Sequence, residues 1–315
     1  MKRLYTLLPE RRTLHGVLSE YLVPALTVES GDYVSISTLE ADWRMRDTGA
    51  LSTGEGDFFP EREEADVGHA LIGPIAVRGA RPGQTLAATI HSLVPDNWGW
   101  SRVGGHGDPD HAAKAHIDGD EYFLRWHIDA ERRCCVSSGG HRVSLAPFFG
   151  VLAVAPRGTV RTHIPGDHGG NLDCKALVAG STIYLPVFAD GALFSAGDGH
   201  AAQGDGESGG TAIECPMKEA LIELNVLDKA TRFPYASTPE GWVTFGFSED
   251  LTAAAYEALN AAVELIMLLG NIPSSKEALS IFSVCGDLRI TQIVNGIRGV
   301  HAVIPRIDQG NVRYR

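Results

Sequence analysis

The sequence predicts a β-rich α+β fold, a sandwich or barrel-like core with a helical pair near the C-terminus. Three observations carry this prediction. First, 36 glycines and 16 prolines cut the chain into short apolar runs. Second, two of those passages, 24–39 and 73–95, alternate apolar and polar residues at the period of a strand. Third, helical periodicity appears only late, over 248–270 and 274–285.

The elements follow in order. "PALTVESGDYVSISTL" reads as two strands about a Ser30-Gly31-Asp32 turn, and "GPIAVRGARPGQTLAATIHSLVP" as two more about Pro82-Gly83. The likeness of these two passages fits an internal repeat or simply two hairpins. The stretches 43–68 and 100–120 lack periodicity and read as long loops or flaps. Further strands are predicted in "FFGVLAVAP", "STIYLPVF", "ALFSAG" and "TAIECPMKEALIELNVL", with Asp190-Gly191 as a hairpin signal. "SEDLTAAAYEALNAAVELIMLLG" reads as a helix capped by Ser248 and ending at Gly270, and "SSKEALSIFSVC" as a second, capped by Ser274 or Ser275. A closing strand pair, "LRITQIV" and "GVHAVIP", flanks Asn295-Gly296. With no clean linker, 1–315 is expected to form one unit with two β subregions, roughly 1–140 and 141–315.

Composition bounds the function. A formal net charge of −12 and a pI near 5.4 argue against non-specific binding to nucleic acid or to an anionic membrane. No run is expected to supply the roughly 18 apolar residues of a membrane span. The N-terminal "MKRLYTLLPERRTLHG" breaks its apolar run too early for a secretory signal. The 5 cysteines form no CxxC pair, so a reducing, cytoplasmic setting is expected.

The chemistry concentrates in "GALFSAGDGHAAQGDGESGG". Asp198 and His200, two apart at a strand end, project to one side, and Asp205 and Glu207 repeat that spacing after a turn. Carboxylates beside an imidazole match a divalent cation such as zinc, with a remaining carboxylate as base. A solvated Gly-Asp loop is the plainer alternative. Upstream, "HIPGDHGGNLDCKAL" offers Asp173 to complete the metal shell and Asn171 to donate an N–H to an oxyanion, or else merely an Asx turn and helix cap. His15, His69 and Asp42 stand near strand ends, where a structural role is the simpler reading. There is no G-x-S-x-G elbow, P-loop, dinucleotide loop or EF-hand. Cys174 next to Lys175 leaves a cysteine amidase as an alternative, and a non-catalytic metal- or sugar-binding sandwich is another.

Over nearly its whole length, in order, the chain resembles the acetamidase/formamidase family. The resemblance rests on "HGVLSEYLVPALTVESGDYVSI", "GHALIGPIAVRGARPGQTL", "APFFGVLAVAP", "HGGNLDCKALVAGSTIYLPVFADGALFSAGDGHAAQGDGE" and "DLRITQIVNGIRGVHAVIP". It implies hydrolysis of small carboxylic amides to ammonia and a carboxylate, a divalent metal, zinc by preference, and assembly into homo-oligomers. By position the acidic cluster of the family falls on Asn171, Asp173, Asp198, His200, Gln203, Asp205 and Glu207. The expected roles are Asp173, Asp198 and His200 on the metal, Glu207 as general base, and Asn171 or His69 on the oxyanion. Asp205, Gln203, His15 and Asp42 are expected around the substrate. Gln84 and the residues after Glu207 depart from the family pattern, as do 43–68 and 101–141, which leaves the amide open to cyclic or urea-like compounds.

Overall fold

A computed structural model describes residues 2–48, 57–104, 115–117 and 120–306, with the backbone of 308, 309, 312 and 313. It is built mainly of strands, followed by two helices near the C-terminus. A nine-stranded sheet runs in the order Leu4–Leu7, Asp32–Ile36, Met217–Leu227, Thr85–Pro95, Thr182–Pro186, Tyr235–Ser237, Gly241–Ser248, Ile297–Pro305, Asp287–Asn295. A six-stranded sheet runs Gly169–Asn171, Phe148–Ala153, Phe194–His200, Leu71–Val77, Leu14–His15, with Leu26–Val28 also on Leu71–Val77. Val34, Leu86, Ile183 and Ile222 of the first share one hydrophobic core with Ile72, Phe149, Leu152 and Phe194 of the second. The sandwich follows from that shared core, and the described strands close no barrel. Each large sheet takes strands from both halves of the chain.

Three expectations about turns need correction. Leu26–Val28 lies in the six-stranded sheet, whereas Asp32–Ile36 after the Ser30-Gly31 turn lies in the nine-stranded one. Leu71–Val77 and Thr85–Pro95 split in the same way about Pro82-Gly83. Asp190-Gly191 likewise separates Thr182–Pro186 from Phe194–His200. These turns are therefore corners that pass the chain between layers, not hairpins. Local turn chemistry reverses the chain, but the buried face of each strand chooses which sheet receives it. The two passages sit in related places, with Leu26–Val28 and Leu71–Val77 paired in parallel and Asp32–Ile36 and Thr85–Pro95 flanking Met217–Leu227. Asn295-Gly296 does turn a paired hairpin.

The expected loops are also better anchored than their composition suggests. Residues 98–103 form a strand of a separate four-stranded sheet, and Trp43 and Asp66 are buried. Arg44–Arg46 pairs with Asp57–Phe58, while 49–56, 105–114 and 118–119 lie outside the described residues.

Helix α1, Leu251–Gly270, is capped by Asp250, whose carboxylate accepts from the Ala253 N–H at 2.7 Å. Ser248, the expected cap, instead accepts from the Asp250 N–H at 3.2 Å. At 20 residues and a mean hydropathy of 1.4, α1 is long and apolar enough by those criteria to span a membrane, contrary to expectation. Here Ala254, Ala258, Ala262 and Ile266 pack on Trp242, Val300 and Ala302 of the nine-stranded sheet. Helix α2, Ser275–Cys285, starts at the expected Ser274 cap. Asp250→Ala should cost about 1 kcal/mol, measured as a lower urea midpoint at unchanged slope.

Candidate active site

The site grows out of the six-stranded sheet. Phe194–His200 carries Asp198 and His200, its antiparallel neighbour Phe148–Ala153 supplies Gly150, and the next strand, Gly169–Asn171, leads to Asp173. Glu207 follows in the loop that Gly206 anchors to the C-terminal hairpin through its N–H to the Thr291 carbonyl at 3.0 Å. Glu214 joins through backbone bridges to both His200 and Trp100.

The alternation in "GDGH" has a steric reason. A Cβ on Gly197 would stand 2.5 Å from the Ala70 carbonyl oxygen, and one on Gly199 2.5 Å from that of Cys215. Gly150 is the floor of the cluster. A Cβ there would lie 2.2 Å from Asp198 Oδ2, 2.7 Å from His200 Cε1 and 2.8 Å from Asp173 Oδ1. Gly150→Ala should therefore push all three side chains apart and lower kcat/KM by about 100-fold, the cost of a displacement near 1 Å in a reacting group. Steady-state kinetics beside a circular dichroism spectrum would check this.

Asp173, Asp198, His200, Glu207 and Glu214 are all buried. Ligand atoms of Asp173, Asp198 and His200 lie within 4.8 Å of one another, as do those of His200, Glu207 and Glu214. His200 Nε2 sits 3.3 Å from Asp198 Oδ1 and 3.1 Å from Glu214 Oε2. Asp173 Oδ2 accepts from Asn171 Nδ2 at 2.8 Å and Asn295 Nδ2 at 3.2 Å, leaving Oδ1 without a protein partner. Asp173, Asp198 and Glu207 adopt φ of 48°, 57° and 45°, a left-handed backbone that costs free energy in a non-glycine residue. Such strain persists only where surrounding structure enforces it.

The electrostatics match this crowding. Burial, then the Asp198 charge, pushes the Asp173 carboxyl up to about 7. Burial also opposes ionisation of Asp198, yet His200 and His69 hold it below the usual carboxylate range. Glu207 is raised well above that range by burial and by Asp173. Burial likewise raises Glu214, against the pull of His200. His200 is raised well above ordinary histidine, because Glu214 and Asp198 outweigh its burial. Four buried carboxyl groups thus face one buried imidazole and the partly exposed His69, whose Nδ1 lies 3.9 Å from Asp198 Oδ2. Buried charge in such excess calls for protons or a cation.

Of the other expected residues, Gln203 and Asp205 adjoin this centre, whereas His15 and Asp42 make their contacts elsewhere. Gln203 Nε2 donates to the Asp173 carbonyl at 2.8 Å. Asp205 does not repeat the inward aim of Asp198. With Gly206 turning at φ 97°, it pairs outward with Lys175 Nζ at 2.9 Å while Glu207 points in. His15 has both ring nitrogens engaged, Nδ1 by the Val17 carbonyl at 2.7 Å and Nε2 by Ser195 Oγ at 2.9 Å. Asp42 is held by Arg44 at 3.0 Å, in a group with the buried Glu40 and Trp100. The sequence reading missed Glu214 and Asn295. A lone glutamate inside the apolar run "TAIECP" was the available signal for the first, whereas Asn295 passes for a turn residue.

Comparison with known proteins finds relatives of this chain. Residues 150–305 match the model of the acetamidase/formamidase family. An acetamidase of Mycolicibacterium smegmatis is 30% identical over 217 residues, 49% of this chain and 53% of that protein. The crystal structure of a predicted acetamidase/formamidase from Thermoanaerobacter tengcongensis superposes with a TM-score of 0.84 at 25% identity, covering 97% of this chain and 96% of that one. An acetamidase structure from Bacillus halodurans gives 0.80 at 28% identity, covering 96% and 97%. The structural match thus extends over the N-terminal half that the family model leaves out. The family motifs lie on the strands that build the buried acidic cluster, and the chain belongs to the acetamidase/formamidase family.

Proposed function

We propose that the protein hydrolyses small linear carboxylic amides, releasing ammonia and a carboxylate, with a divalent cation held by Asp173, Asp198 and His200. The observation that carries this reading is the convergence of buried acidic donors on one imidazole, with Asp173 Oδ1 free of protein partners, in a chain of this family. Two carboxylates and an imidazole fit zinc better than calcium, which favours all-oxygen ligands. When bound, such an ion lowers the pKa of water and polarises a carbonyl.

The residues of the chain divide the remaining work. Asn171 and Asn295 fix Asp173 Oδ2 and so aim Oδ1 at the cluster. Having given an N–H to Asp173, Asn171 serves as a positioning group. His69, partly exposed and with no hydrogen bond at Nδ1, is the better donor to a developing oxyanion. Glu207 accepts the proton of the attacking water and passes it to the departing nitrogen. Gln203 and Asp205, with Lys175, order the rim.

The cysteine route has little support, because burial pushes the Cys174 thiol up to about 12 and thiolate is the reactive form. On the family resemblance we also infer homo-oligomers, and on its free cysteines a cytoplasmic setting. The test pairs metal analysis of purified protein with ammonia release from formamide and acetamide. Activity lost to a chelator and restored by zinc is the expected result. Full turnover in metal-free protein, or sensitivity to iodoacetamide without sensitivity to chelator, would overturn the metal assignment.

A further inference from the structure

We propose that a cavity beside the acidic cluster is an acyl-group pocket, and that the preferred substrate is an uncharged carboxamide whose bulky apolar acyl group ends in a hydroxyl. This rests on the amide-hydrolysis reading above.

The cavity has a volume of about 640 Å³, within the range of small-molecule pockets and far more than formamide needs. Two of its lining residues hydrogen-bond to residues of the cluster. Gln203 donates to the Asp173 carbonyl at 2.8 Å, and the Ala212 N–H donates to Glu214 Oε1 at 2.9 Å. A carbonyl held at the cluster therefore has this cavity as its neighbour, and an acyl substituent has somewhere to go.

The walls define the ligand. Trp126, Val143, Ala176, Val178 and Ile213 make an apolar lining suited to a ring or branched chain. His301, another lining residue, is fully buried. Thr291 Oγ1 occupies its Nδ1 at 2.8 Å, and its Nε2 has no protein partner. Gln203 Oε1 is likewise buried and unpartnered. Leaving such an atom unsatisfied is costly, so a ligand that reaches it gains specificity. Burial lowers the His301 pKa to about 4, and the ring is neutral at ordinary pH. A hydroxyl both donates and accepts, so it satisfies Nε2 in either tautomer. The charged lining groups already have partners, Lys175 with Asp205 at 2.9 Å and Arg289 with Glu240 at 3.2 Å. The ligand is accordingly uncharged.

The test measures kcat/KM of the metal-loaded enzyme on formamide, phenylacetamide and 4-hydroxyphenylacetamide. Phenylacetamide should exceed formamide by about tenfold or more, with a further gain of about tenfold for the hydroxyl. His301→Phe should erase the hydroxyl preference, and Val143→Trp should lower the phenylacetamide-to-formamide ratio by about tenfold. Should His301→Phe fail to fold, the wild-type ratios and Val143→Trp decide. A wild-type enzyme that prefers formamide to both aryl amides overturns the pocket while leaving the amidase intact. No ammonia from any of the three overturns both.

Discussion

Glu207→Gln is expected to lower kcat on the best amide by about 100- to 10,000-fold, the usual contribution of a general base. The substitution keeps the size and hydrogen-bonding reach of the side chain but removes its capacity to hold a proton. Glu207 adopts a left-handed φ of 45°, and its Oε2 is buried without a hydrogen-bond partner. The pH dependence has a definite sign. Burial and the Asp173 charge raise its pKa well above the ordinary carboxyl value of 4.5. Below that raised pKa Glu207 is protonated and idle as a base, so kcat climbs with pH toward a plateau. The glutamine variant should lose this acid limb as well as the rate. Normal kcat in Glu207→Gln would remove the base from this position.

The second large effect is expected at Asp198. Asp198→Asn should strip bound metal and reduce kcat/KM by more than about 100-fold, since loss of a supporting residue alone costs 10- to 100-fold. Asparagine tolerates the left-handed φ of 57° about as well as aspartate does, so the variant isolates charge from backbone strain. It leaves His200 with Glu214 alone as its anionic partner at 3.1 Å. Zinc content by elemental analysis and an unchanged circular dichroism spectrum would separate loss of the ion from loss of the fold. A zinc-replete, active Asp198→Asn protein would move the metal elsewhere, with His200, Glu207 and Glu214 the next group to test.

Some strands were legible because they alternate, whereas Leu71–Val77, Phe148–Ala153 and Phe194–His200 are buried along their whole length and show in the sequence only as apolar runs bounded by turns. Asp32–Ile36 alternates buried and half-buried residues along its length. The α2 cap at Ser274 was equally plain, since a cap is a contact between near neighbours. The α1 cap was misplaced by two residues because Ser248 and Asp250 are both good cap formers and only the final φ/ψ values separate them. The sheets into which the strands fall were not legible. Asp190-Gly191 has the chemistry of a hairpin turn, yet its flanking strands part to opposite layers. That outcome depends on which buried face each strand offers, and the partners lie far off in sequence.

The site divides along the same line. The motifs carried the family, the β-rich class and the expectation that Asp198, His200 and Glu207 act together, because those three lie on one strand and the loop after it, whereas Asp173, named from its own motif, reaches them across Phe148–Ala153. Only the tertiary structure turned Asp205 outward to Lys175, occupied both nitrogens of His15, and brought in Glu214 and Asn295 from other strands. Direction and partnership of a side chain are set by packing between distant segments, and that information is spread over the whole chain rather than written beside the residue.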